Sequence, residues 1–156
     1  MKRQAQAYLC LDVLSIVDVW ERRSMPLKIA DGHTNFYDTG FEVFGHLVSV
    51  MFCDDVKATM AKIHPEVGRV DDAEALIYKY TRQAKSEIFI KFDAKVGSIT
   101  HEAFHAVWNI FEYHGMKRDD EAMAYHLGYL VEAVVGAQIE ALEARLAESE
   151  DWPLGL

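Results

Sequence analysis

Cysteine, proline and basic residues are scarce here: 2 Cys, 3 Pro and 16 Lys plus Arg in 156 residues. Two thiols, Cys10 and Cys53, both in apolar strand-like runs, read as buried reduced cysteines of a cytoplasmic protein rather than a disulfide framework. Scattered prolines, with no Ser- or Gly-rich linker and no internal repeat, argue against several modules, so residues 1–156 read as one domain. The 16 basic residues against 25 acidic ones give −9, which argues against a direct nucleic-acid binder and against docking on an anionic membrane. No run approaches the roughly 18 apolar residues of a membrane span. The opening Met1-Lys2-Arg3-Gln4 leads into an apolar stretch broken by Asp12 and Asp18, a poor secretory signal. What is present is an ordinary globular share of hydrophobic residues, 51%, enough for a core without staples.

The order of elements predicts an α+β domain, a small mixed sheet packed on helices. Tyr8–Trp20 is apolar and ambiguous between strand and buried helix, and Leu27–Gly40 is loop-like. Phe41–Phe52 suits a strand, weakened by Gly45 and His46. Asp54-Asp55 opens a helix that Pro65 stops near His64, and Asp71-Asp72 opens a second candidate helix over Ala73–Ala84. Glu87–Phe92 alternates as a half-buried strand with Phe89 on the outward face, where it could contact a substrate. A helix follows over Ile99–Tyr113. Ser98 or Thr100 is its candidate cap, Phe104, Val107, Trp108 and Phe111 form its apolar stripe, and Gly115 ends it. Asp119-Asp120-Glu121 opens a long terminal helix to about Leu146, acids at its start meeting the positive end of the dipole.

The pattern that carries chemistry is His101-Glu102-Ala103-Phe104-His105. Histidines at i and i+4 share one face of a helix about 5–6 Å apart at Cβ, so both imidazoles can reach one Zn2+ at about 2.0–2.1 Å. Glu102 sits beside such a metal rather than on it, placed to take a proton from a water whose pKa zinc lowers toward about 7. A catalytic zinc needs a third protein ligand. Glu121 is the leading candidate, in the first turn of the next helix and sharing a face with Tyr125 and Gly128, where Gly128 would allow close helix approach. An acid serving only the helix dipole is the plain alternative. Asp120, His114 and His126 are competitors, and His33, His46 and His64 read as structural or solvated. Tyr125 is either an oxyanion donor or an ordinary packing tyrosine, and Trp108 reads as core.

Ile99–Val107 with its HExxH motif, followed by Asp119–Tyr125 and Leu127-Gly128-Tyr129-Leu130, resembles the zincin metallopeptidases. It is most similar to small HExxH proteins of tailed bacteriophages, with a gluzincin-like third ligand. The resemblance covers about residues 87–134. It implies metal-ligand roles for His101, His105 and Glu121, the base role for Glu102, and a sheet edge strand, here Glu87–Phe92, that binds an extended peptide. Trp108 stands where the metzincin continuation wants Gly.

The expected function is a cytoplasmic zinc-dependent hydrolase, a narrow-specificity metallopeptidase acting on a protein or peptide. The alternative is a non-catalytic zinc-containing binding protein, such as a phage-type inhibitor or adaptor acting on a host protein. Six acids against one arginine over Glu132–Asp151 form either its partner-binding surface or a solvated helix face. A zinc amidase is a third class.

Overall fold

The computed structural model describes residues 21–24, 37–68 and 71–149. Expectations for Tyr8–Trp20, for Cys10 and His33, and for most of the Leu27–Gly40 loop lie outside these residues. Strand β1 is Glu21–Ser24, β2 is Tyr37–Val43 and β3 is His46–Cys53. The stretch Phe41–Phe52, expected as one strand, is instead a hairpin. Phe44 and Gly45 both take positive φ (51° and 74°), the geometry of a tight two-residue turn between right-twisted strands. Glycine makes that turn possible, and Val43 pairs with His46 across it.

Asp55 caps helix α1, Val56–Ile63, its Oδ1 accepting from the Ala58 N–H at 2.9 Å, and Pro65 ends it as expected. The candidate helix over Ala73–Ala84 is not formed. That segment is strand β4, Ala75–Lys79, followed by a turn into β5, Lys85–Lys91. Leu76 and Tyr78 pack against one hydrophobic cluster and Ala75 and Ile77 against another, a two-sided alternation that suits a strand. The sheet order is β1-β2-β3-β5-β4, with β3 and β5 parallel and the other pairs antiparallel. So β5 is interior, and β4 is the edge. The expected edge role of Glu87–Phe92 is corrected accordingly.

Interior position also explains why β5 is not half-buried: Ser86 to Ile90 are all buried. Ile88 and Ile90 join Val48, Val50 and Phe52 under the two long helices, while Phe89 packs with Met51, Cys53, Val56 and Met60 under α1. Phe89 is thus a core residue rather than an outward substrate contact.

Helix α2 is Val96–Tyr113 and α3 is Asp120–Ser149. Helix α2 starts three residues before Ile99, and neither Ser98 nor Thr100 caps it. Ser98 Oγ donates to Glu74 Oε2 (2.7 Å), and Thr100 Oγ1 to the Val96 carbonyl (2.8 Å). Gly115 ends α2 as expected, with φ 61°, and the Met116 N–H closes onto the Phe111 carbonyl at 2.9 Å. Asp119 Oδ1 then accepts from the N–H groups of Glu121 and Ala122. The buried side of α2 is Ile99, Ala103, Ala106, Val107, Ile110 and Phe111, leaving Phe104 exposed and Trp108 half-buried under the Arg118 guanidinium, 3.8 Å from its ring. The buried side of α3 is His126, Leu130, Val134, Ala137 and Ala141.

A buried polar chain ties α2 to the sheet. Asn109 Nδ2 donates to Ser86 Oγ (2.9 Å), which lies 3.0 Å from His46 Nε2. Burial, with His114 nearby, lowers the His46 pKa to about 4. A folded pKa below the unfolded value means the contribution is present above about pH 6.5 and lost as pH falls from there toward 4. At about 1.4 kcal/mol per unit it reaches at most roughly 3 kcal/mol. Burial lowers the His126 pKa too, with the same sign. Urea midpoints should therefore fall between pH 7 and pH 5, and His46→Gln should flatten that fall. An unchanged slope in the variant would show that His46 is not the titrating group.

Candidate metal centre

Helix α2 runs beneath β4 and β5, which sets each side chain of the motif. Glu102 faces the sheet and is buried, His105 is half-buried beside it, and His101 stands out with 69% of its side chain exposed. One helical turn brings His101 Nε2 and His105 Nε2 to 3.2 Å, with their rings nearly perpendicular. Two nitrogens each about 2.0–2.1 Å from a tetrahedral zinc would lie about 3.3–3.4 Å apart, so this pair has the bite of a zinc chelate. Glu102 Oε1 is 3.9 Å from His101 Nε2.

Burial shifts both groups toward their neutral forms. Burial raises the Glu102 pKa, partly offset by His101, by Lys79 and by a hydrogen bond from the Ile77 backbone. Burial lowers the His105 pKa, aided by the charge of Lys79 and by His101, which favours the neutral imidazole that a metal requires. Lys79 and Ile77 belong to β4. In its register with β5, Glu74 and Tyr80 bond across to β5, so the backbone polar groups of Ala75, Ile77 and Lys79 turn to the free edge. The motif thus sits directly below an edge that no strand among the described residues pairs with. Reading Ala73–Ala84 as a helix hides Lys79 and Ile77, which belong to strand β4. The alternation of Leu76 and Tyr78 with Ile77 and Lys79 was the available signal.

The structure does not gather Glu121 with the histidines. Among the described residues no three His, Cys, Asp or Glu side chains form a group able to hold a metal. The helices run antiparallel, with Phe111 against His126 and Gln138 donating to the Phe92 and Ala94 carbonyls. Those two anchors put His105 level with about residues 127–132, so at about 1.5 Å per residue Glu121 is displaced along the axis on the order of 10–15 Å. Because His126 faces the core, Glu121, Tyr125 and Gly128 fall on the opposite side of α3, where all three are exposed, Tyr125 at 57%. The expected close approach at Gly128 is absent, since a Cβ added there would meet nothing within 4 Å. Asp120 and His114 are also exposed, and His126 packs between Phe44 and Phe111. His46 and His64 are structural as expected, His64 bonding Glu87 Oε2 at 2.5 Å and stacking on Tyr78.

No family model, no curated protein and no solved structure matches this chain. No helix among the described residues is long and apolar enough to cross a membrane.

Proposed function

We propose that the chain is a zinc-dependent hydrolase, a narrow-specificity metallopeptidase in which His101 and His105 hold the metal and Glu102 is the general base. The observation that carries this reading is the 3.2 Å Nε2–Nε2 pair beside a buried carboxylate. Zinc held there would supply a Lewis acid that polarises a carbonyl and acidifies water. Glu102 takes the proton onto a carboxylate oxygen whose basicity burial has raised. His101, the Lys79 charge and the Ile77 backbone partly offset that rise. Along the β4 edge, unpaired among the described residues, the backbone groups of Ala75 and Lys79 are offered to an extended peptide laid antiparallel or parallel to it. That transfers to β4 the substrate-strand role first expected of Glu87–Phe92. Glu121 and Tyr125 have no part in this proposal, because both stand on the outward side of α3. A free buried thiol at Cys53 suits the reducing cytoplasm, of a host cell if the chain is phage-encoded.

The two-histidine donor set also favours a second reading, a non-catalytic zinc-containing binding protein, since a catalytic zinc ordinarily has three protein ligands. Metal content tests the shared premise. Elemental analysis should find about one zinc per chain in the wild type. In competition titrations, His105→Ala should weaken binding by more than the roughly 10–100-fold that loss of an outer-shell partner costs. Glu121→Ala should bind zinc as the wild type does. Full occupancy in His105→Ala would move the metal elsewhere. Weakened binding in Glu121→Ala would restore that carboxylate as the third ligand.

A further inference from the structure

The charged side chains that border α2 are partnered at both of its ends. Lys95 reaches Glu74 at 3.8 Å, and Arg118 reaches Glu112 at 3.5 Å. Half-buried Lys79 differs: among the described residues no carboxylate lies within 4.0 Å of its ammonium. Sheet register says where that ammonium stands. Lys79 pairs with Ser86 across β4 and β5, and residues directly opposite in an antiparallel pair project from the same face. The Ser86 face is the α2 face, because Ser86 Oγ accepts from Asn109, one helical turn beyond His105. Two residues before Lys79, Ile77 packs on the core under the helices, and its backbone bonds Glu102. Lys79 therefore stands on the motif side of the sheet, alongside the His105 turn, on the strand whose outer edge is unpaired among the described residues.

At that place an anionic group is favoured. A bound Zn2+ would add its charge to that of Lys79, against the single carboxylate of Glu102. The −9 of the whole chain is spread over the molecule, and salt screens charges beyond roughly 8 Å, so the neighbouring groups decide. A peptide laid along β4 sets one residue opposite Lys79, and the side chain of that residue projects to the same, metal-facing side. A neutral or basic side chain there leaves the ammonium without a partner, whereas a carboxylate gives it a charge-assisted hydrogen bond. From this unpaired ammonium on the motif side of the edge strand, we propose that Lys79 is a specificity residue that binds a carboxylate of the peptide substrate. This rests on the peptidase reading for the identity of the site, and it names the class of substrate: peptides with Asp, Glu or a C-terminal carboxylate next to the metal.

Charge reversal is the test. Zinc-loaded Glu102→Gln is immobilised and exposed to a random decapeptide library with amidated C-termini, and separately to the same library with free C-termini. Retained peptides are sequenced. The Gln background prevents cleavage and takes the effect of Lys79 on Glu102 out of the comparison. Lys79→Met, Lys79→Arg and Lys79→Glu are made in it, with zinc content and urea midpoint confirming site and fold. Asp and Glu should be enriched at one position of the amidated library. Retention should fall at least about tenfold in Lys79→Met, the cost of a lost charge-assisted hydrogen bond, and survive in Lys79→Arg. Lys79→Glu should turn the enrichment to Lys and Arg, which a lysine with a purely structural role would not do. A Lys79-dependent preference confined to free C-termini assigns the carboxylate to the end of the peptide instead of a side chain. No carboxylate preference in either arm, or equal retention by Lys79→Met, overturns the proposal. Should the retained acidic peptides survive wild-type enzyme uncut, hydrolysis fails as a reading while the carboxylate site stands.

Discussion

Glu102→Gln should retain the metal and the fold and lose hydrolysis by about 10²–10⁴-fold, the usual contribution of a positioned general base. The amide is nearly isosteric with the carboxylate but takes up no proton at neutral pH. The expected stability change has the opposite sign. Burial raises the Glu102 pKa, so the folded state favours the protonated carboxyl. A raised folded pKa gives a contribution that is full at low pH and lost as pH rises through that value. Burial thus disfavours the charged carboxylate, and Glu102→Gln, which carries no charge, should be at least as stable in urea at pH 7. For activity the sign reverses again: Glu102 must be ionised, so the acid limb of the rate profile should lie above the ordinary glutamate range. A biological readout serves while the substrate is unknown, namely expression in a bacterial host scored for growth or for a disappearing host protein. Should Glu102→Gln and His101→Ala both act as the wild type does, metal chemistry is dispensable and the binding-protein reading replaces the enzyme. Should Glu102→Gln act while His101→Ala does not, zinc is structural and the base role is wrong.

The motif could be found in the sequence because everything it needs is local. An i, i+4 pair on a helix is fixed by helix geometry, and the capping signals at Asp55, Gly115 and Asp119 were equally short-range. The third ligand was a different kind of inference. Placing Glu121 opposite His105 required knowing where α3 turns back. The chain reverses at Gly115 only after α2 has run eight residues beyond His105, which carries the first turn of α3 past the motif. Helix phase compounded the error. His126 and Glu121 stand about 140° apart on a helix, and it is the His126 side that is buried. The Phe104–Trp108 stripe misled for a related reason. Small residues, Ala103 and Ala106, occupy the tightly packed side of α2 and leave the larger aromatics outside.

Phe89→Ala should cost about 3–5 kcal/mol, the range for emptying a large aromatic site in a core. In the sequence, Phe89 alternates with Ile88 and Ile90, and period two separates the faces of a strand but does not say whether the second face is covered. Helix α1 covers it. Val56 and Met60 meet Met51, Cys53 and Phe89 from that side, and Leu76 and Tyr78 of β4 pack against the same cluster. Phe89 is fully buried there, while Phe104, expected inside, is not. A matched pair of truncations therefore reads the difference: Phe104→Ala should stay within about 0.5 kcal/mol of wild type in urea unfolding, as exposed substitutions do. A loss of 3–5 kcal/mol is a large part of the roughly 5–15 kcal/mol that holds a domain folded, so Phe89→Ala should also lower soluble yield. The face that Phe89 supports is the one behind the candidate metal centre. Its cluster holds β4 against β5, and β4 supplies the Ile77 N–H and the Lys79 charge that act on Glu102 and His105. Near its unfolding midpoint, Phe89→Ala should therefore release zinc together with its fold, whereas Phe104→Ala should keep its zinc throughout that range. If Phe89→Ala loses less than about 1 kcal/mol, the second layer over the sheet is not packed as described.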